Sequence, residues 1–86
     1  MGYKVIYSDQ ADATIRKLDR QVAARILKMM DRVASLSDPR AIGDALHGDL
    51  RDNWKYRAGD WRIRCTIVDR LLIVEVIDVA HRSKAY

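Results

Sequence analysis

"NWKYRAGDWRIRC", residues 53–65, decides the fold. Apolar and charged residues alternate on both sides of Gly59-Asp60, the pattern of two half-buried strands joined by a two-residue hairpin turn. Such a turn sets the pairing. Ala58 falls opposite Trp61, Arg57 opposite Arg62, Tyr56 opposite Ile63, and Lys55 opposite Arg64. Directly opposed residues share a face. One face is therefore Trp54, Tyr56, Ala58, Trp61, Ile63 and Cys65, apolar and suited to a core. The other holds Lys55, Arg57, Arg62 and Arg64 as two like-charged pairs. Each such pair costs roughly a few tenths of a kcal/mol, where a surface built for stability alone would place a carboxylate opposite each cation.

Downstream, Leu71 to Val79 (LLIVEVIDV) is apolar on both faces, as a central strand is. With Asp69-Arg70 as the connecting turn, Arg64 is expected opposite Glu75 and Arg62 opposite Ile77. Arg64 then has a cross-strand partner, and Arg57 and Arg62 have none nearby. Two readings stay open: a solvated basic face, or a site for an anion, most simply a phosphodiester.

Upstream, Tyr3 to Tyr7 (YKVIY) reads as a short strand. Ser8 or Asp9 caps a helix carrying Ala11, Ile15 and Leu18, and Asp19 caps a second. Over Arg20 to Leu36 the apolar stripe is Val22, Ile26, Met29, Met30, Val33 and Leu36. The two helices form a hairpin, stopped by Ser37, Asp38 and Pro39, and a loop follows through Gly43 and Gly48. The order β-α-α-β-β-β predicts an α+β fold over residues 1–86 as one domain. A helical hairpin packs on one face of a mostly antiparallel four-stranded sheet.

The 86 residues carry a formal net charge of +4, with 49% hydrophobic and 33% charged residues, so neither disorder nor a membrane protein is expected. No apolar run nears the roughly 20 residues that span a bilayer. The start, MGYKVIYSD, lacks a signal peptide's apolar stretch, and the single cysteine, Cys65, points to a reducing, cytosolic setting. Residues 51–86 hold eight basic and five acidic residues, against eight and seven in residues 1–50. No His/Cys cluster has metal-ligand spacing, and no glycine-rich loop is placed to cradle a nucleotide. Cys65 faces the core, and Met29 and Met30 are core or partner-facing residues. The chain ends AHRSKAY, which the central strand is expected to deliver beside Arg57 and Arg62. A His, an Arg and a phenol there, with the two arginines, would suit phosphoryl transfer: cations stabilise the phosphorane and titratable groups move protons.

Three pieces, LHGDL (46–50), WKYRAGDWRIRCTIVD (54–69) and VAHRSKAY (79–86), resemble RelE-type toxins of the RelE/ParE superfamily. The resemblance implies the same fold and a metal-independent endoribonuclease without cofactors. Such a toxin enters the A site of the 70S ribosome and cuts the mRNA codon there. The ribose 2′-OH attacks the adjacent phosphate, leaving a 2′,3′-cyclic phosphate and a 5′-OH. It further implies that Lys55, Arg57, Arg62, Arg82, Tyr86 and His81 form the catalytic set, with Arg64, Lys84 and Arg51 on RNA. Arg57 stands where some relatives have lysine. A guanidinium effectively cannot lose its proton, so Arg57 is a charge stabiliser and Lys55 the better proton mover. Where relatives pair a catalytic His with a carboxylate, Asp44 is the nearest match here; a loop-capping role is its other reading. His47 reads as a surface residue. A RelB-like antitoxin is the implied partner, reaching operator DNA on the toxin's behalf. ParE-type relatives share the fold, act on DNA gyrase and generally lack the full basic set. A non-catalytic RNA-binding module is the third alternative.

Overall fold

The computed structural model describes residues 2–46 and 52–84. Strand β1 (Lys4–Tyr7) leads into α1 (Asp9–Lys17) and α2 (Arg20–Ser35). Ser8 caps α1 by accepting the Ala11 N–H at 3.0 Å, and Asp19 caps α2 by accepting the Gln21 N–H at 3.0 Å. Asp9 and Asp12 sit in the first turn of α1 and Arg16 and Lys17 in its last, as the helix dipole favours. Ile26, Met30 and Val33 of α2 are buried, with Val22 and Met29 packed at the margin, so the helical stripe is the one the spacing predicts.

The sheet has five strands in the order β1-β5-β4-β3-β2, from β2 (Asp44–Ala45), β3 (Asn53–Ala58), β4 (Trp61–Val68) and β5 (Ile73–His81). β1 runs parallel to β5 and the other pairs are antiparallel. The expected four strands become five because β2 has only two residues, too few to show a period. It is held by Gly43, at φ +82°, where a Cβ would come within 2.5 Å of the Lys55 carbonyl oxygen. The Trp54 indole N–H also donates to the Ile42 carbonyl at 2.8 Å.

The β3–β4 register is the one predicted, pair for pair from Lys55–Arg64 to Ala58–Trp61. The β4–β5 register is not. Val68 faces Ile73 across a four-residue connection, in which Asp69–Leu71 make a 3-10 turn and Leu72 takes φ +53°. The strain of that left-handed leucine is offset by two backbone bonds, Leu72 N–H to the Asp69 oxygen at 3.0 Å and Lys4 N–H to the Leu72 oxygen at 2.8 Å. The register also shifts between Arg64 and Cys65. Arg64 faces Asp78 and Cys65 faces Val76, so Ile77 is the extra residue of a bulge. The start of α1 grips that bulge: the Ser8 hydroxyl donates to the Ile77 oxygen at 2.6 Å while capping its own helix. Arg64 therefore faces Asp78 rather than Glu75, and Arg62 faces Ala80 rather than Ile77.

The core lies between helices and sheet, where Tyr56, Ile63, Cys65, Ile67, Val74 and Val76 meet Ala11, Ile26, Met30 and Val33. The Tyr56 hydroxyl, itself buried, donates to the Pro39 oxygen at 2.6 Å. Beside it Arg40, only 11% exposed at its side chain, donates to both Asp69 oxygens at 2.9 and 3.1 Å and to Asp52 at 3.1 Å, with Trp54 under its guanidinium at 6.0 Å. The Tyr3 hydroxyl donates to the same Asp69 at 2.8 Å. Arg40 thus ties the loop after α2 to the β4–β5 turn and to the entry of β3. Among the described residues no helix is long and apolar enough to cross a membrane.

Arg40→Ala is expected to cost roughly 2 kcal/mol, since charge-assisted hydrogen bonds contribute about 1.5–3 kcal/mol; urea denaturation checks this. Alkali should also destabilise the fold. Burial pushes the Cys65 thiol and the Tyr56 phenol well above their ordinary values. A raised folded-state pKa gives stability that is complete below the unfolded value and lost as pH rises. Denaturation midpoints should fall from about pH 8.5 upward, where the unfolded thiol and then the phenol ionise, and less steeply in Tyr56→Phe.

Candidate functional site

Alternation along β3 and β4 sends Tyr56, Ala58, Ile63 and Cys65 into the core and Lys55, Arg57, Arg62 and Arg64 to the face away from the helices. Two rows of charge cross that face. In the first, Asp44, Lys55, Arg64 and Asp78 lie side by side on β2, β3, β4 and β5, so two cations are bounded by carboxylates. Arg64 grips Asp78 with two hydrogen bonds, its Nε donating to Oδ1 at 2.7 Å and its Nη2 to Oδ2. In the second, Arg57 faces Arg62 and Arg62 faces Ala80. Among the described residues no carboxylate pairs with Arg57 or Arg62. The Arg62 guanidinium instead donates to the Gly59 oxygen at 3.1 Å, which draws it toward the hairpin turn.

The tail arrives at the same turn. After β5, Arg82–Lys84 form a 3-10 turn. The Arg82 N–H donates to the Asp60 oxygen at 2.7 Å, and its side-chain Nε lies 3.8 Å from the Asp60 carboxylate. Lys84 is exposed on that turn. Arg57, Arg62 and Arg82 are thereby gathered around Gly59-Asp60.

His81 is not among them. It faces Trp61, with ring centroids 5.5 Å apart at 86°, on the helix-covered side of the sheet. The Ile77 bulge is the reason: one inserted residue reverses the alternation beyond it, so Asp78 and Ala80 join the basic face and Val79 and His81 leave it. The His81 Nδ1 accepts the Ser83 N–H at 3.2 Å and lies 2.9 Å from the Ser83 hydroxyl. Asp44 lies on β2, paired in register with Lys55 at the opposite end of the sheet from β1. Cys65 is fully buried, and burial disfavours its thiolate, which makes it a packing residue. Arg51, His47 and Tyr86 lie outside the described residues, as does the LHGDL stretch beyond Leu46.

Arg25 was not legible as a site residue. It comes from α2, and its Nη1 lies 3.6 Å from where a Cβ on Gly59 would stand. Helical spacing places it beside the apolar stripe; which strand end it reaches depends on how α2 crosses the sheet.

Residues 5–86 match the family described as the ParE toxin of the type II toxin–antitoxin system parDE, and the chain belongs to that family, within the RelE/ParE superfamily. Among solved structures it resembles the RelBE2 toxin–antitoxin complex of Mycobacterium tuberculosis, with 23% identity, TM-score 0.81, and 95% of this chain and 100% of that one covered. It resembles isolated Escherichia coli RelE toxin, with 26% identity, TM-score 0.77, and 93% and 84% covered. A double arginine-to-alanine mutant of E. coli RelE, in complex with an antitoxin RelBc peptide, shares 27% identity at TM-score 0.76, with 100% and 92% covered. Among curated proteins none matches. The chain is therefore a type II toxin with the RelE fold.

If Arg57 and Arg62 serve a ligand rather than the fold, Arg62→Ala should leave thermal stability unchanged or slightly higher, because it relieves a like-charge pair. Thermal unfolding decides this; a large loss would make the arginine structural.

Proposed function

We propose that this toxin is a ribosome-dependent mRNA endonuclease acting on the codon in the ribosomal A site. The observation that carries the reading is the opposed Arg57–Arg62 pair, kept without a carboxylate among the described residues and joined at the turn by Arg82. In-line attack of a ribose 2′-OH on the next phosphate builds negative charge on the phosphorane oxygens. Guanidinium groups fixed on a sheet stabilise that charge without reorganising. The products are a 2′,3′-cyclic phosphate and a 5′-OH, and no metal is needed. Lys55 is assigned the proton exchange, because an arginine effectively cannot perform it. Arg64, Lys84 and Arg51 are assigned to phosphates of the bound RNA. His81 is assigned to holding the tail rather than to the reacting atoms. Tyr86 is assigned to stacking on a base of the codon, worth about 1–3 kcal/mol.

RelE toxins solved with RelB antitoxins support a small acidic RelB-like partner for this chain, which restrains it in the cytoplasm and carries any operator-DNA binding. The ParE description of the matched family favours a second reading, a toxin directed at DNA gyrase.

Purified protein in a translation extract separates them. Codon-spaced mRNA cuts with cyclic-phosphate ends are expected; gyrase-linked DNA breaks would replace this reading with the second one, and neither product would leave a binding module. Arg57→Ala and Arg62→Ala should each slow single-turnover cleavage on programmed ribosomes by about 10²–10³-fold. Tyr86→Phe should stay nearly active and Tyr86→Ala fail; full activity in the alanine variant would remove Tyr86 from the site.

A further inference from the structure

The basic face does not end at β3. β2 pairs only with Trp54 and Lys55, so beyond Lys55 no strand of the described residues covers the outer edge of β3. There a groove of about 660 Å³ opens between β3 and α2, lined by Arg25, Lys28, Met29, Arg32, Arg57 and Ala58 among others. Arg57 belongs to both the groove and the basic face. Arg25, Lys28 and Arg32 follow one another at i, i+3 and i+7, a ladder along one side of α2. Among the described residues none of these four cations is held in an ion pair, and Asp31 is the one carboxylate in the lining. Met29, Ala58 and the arginine stems make the floor apolar. The two surfaces meet at Gly59: its carbonyl accepts from the Arg62 guanidinium at 3.1 Å, and the Arg25 Nη1 lies 3.6 Å from where a Cβ on it would stand.

We infer that this groove is a second RNA subsite, holding the nucleotide next to the scissile phosphate. Its base lies on the Met29–Ala58 floor and its phosphate against Arg25 and Arg32. Single-stranded RNA is held this way, by unstacked bases laid on apolar or guanidinium surfaces with cations tracking the backbone. An acidic peptide would also suit the charge. Continuity through Arg57 with the face where the phosphodiester is placed favours the nucleic acid. The assignment rests on the RNA-cleaving reading above for the class of its ligand.

The test uses a short single-stranded 2′-O-methyl RNA, which binds but has no free 2′-OH to attack, with fluorescence anisotropy over a salt series. Arg25→Ala and Arg32→Ala are expected to weaken binding several-fold. Each should also lower the slope of log affinity against log salt by about 0.7, the value for one phosphate contact on a single strand. Arg25→Lys should restore most of the slope, and Lys17→Ala, on α1, should match wild type. On programmed ribosomes the same alanine variants should need more ribosome for half-maximal rate and keep the saturated rate. Alanine variants that bind RNA as Lys17→Ala does would overturn the subsite. So would unchanged RNA binding alongside weakened capture of a RelB-like antitoxin, which would give the groove to a protein. The expected binding losses without any cleavage by wild type would support the subsite and sink the nuclease reading alone.

Discussion

The Gly59–Asp60 turn is the constraint on which the site depends. Gly59 takes φ +60°, a conformation that costs an ordinary residue about 1–2 kcal/mol, and it has space for a side chain, the nearest atom to an added Cβ being 3.6 Å away. Glycine is needed here for the bend, not for room. A two-residue turn leaves one possible register, and that register sets Arg57 against Arg62. The turn's own backbone then collects the remaining charges. The Gly59 carbonyl takes Arg62 and the Asp60 carbonyl takes the Arg82 N–H. A longer loop would free both carbonyls and let the strands slide.

What keeps two arginines opposed is the other side of the same strands. Tyr56 and Ile63 are buried to 1% and 0% exposure, and Tyr56 is further held by its bond to Pro39. A slip of one residue would carry four cations into that core, a penalty far larger than the few tenths of a kcal/mol that like charges cost on the surface. The apolar face therefore specifies the position of the basic one. The two rows show how selectively this is used. Lys55 and Arg64 are flanked by Asp44 and Asp78, an arrangement any stable surface could carry. One pair nearer the turn on that face, no carboxylate among the described residues flanks Arg57 and Arg62, so the repulsion there is concentrated where Arg82 also arrives.

The hairpin, both helix caps and the helix-covered face were legible because each is written in local spacing: period two, period 3.6, and a capping residue before an apolar stripe. The β4–β5 register was not, and its causes are not local. The bulge at Ile77 is fixed by the hydroxyl of Ser8, 69 residues away, and the wide connection before it by a leucine in a left-handed conformation that no pattern announces. That one shift moves two side chains. Regular alternation matches Arg64 to Glu75 and sets His81 on the basic face, whereas the bulged strand pairs Arg64 with Asp78 and His81 with Trp61. Arg40, the cation that holds three loops together, reads in sequence only as a polar residue after a proline. Its meaning depends on Asp52 and Asp69, which come near only once the sheet has closed.

The displaced His81 clarifies how the tail reaches the site. A strand that alternates regularly would have presented the imidazole to the basic face; the bulge presents Ala80 there, beside Arg62, and turns the ring onto Trp61. Packed edge-on against that indole, the ring offers Nδ1 to the Ser83 N–H, and this bends the chain into the short turn carrying Arg82. The Arg82 N–H meets Asp60 as a consequence of the bend. The aromatic contact on the covered side thus fixes where the tail's arginine lies on the open one. An imidazole whose Nδ1 accepts a backbone N–H is committed to geometry, and the placing of Arg82 beside the turn is a matter of backbone placement more than of side-chain reach.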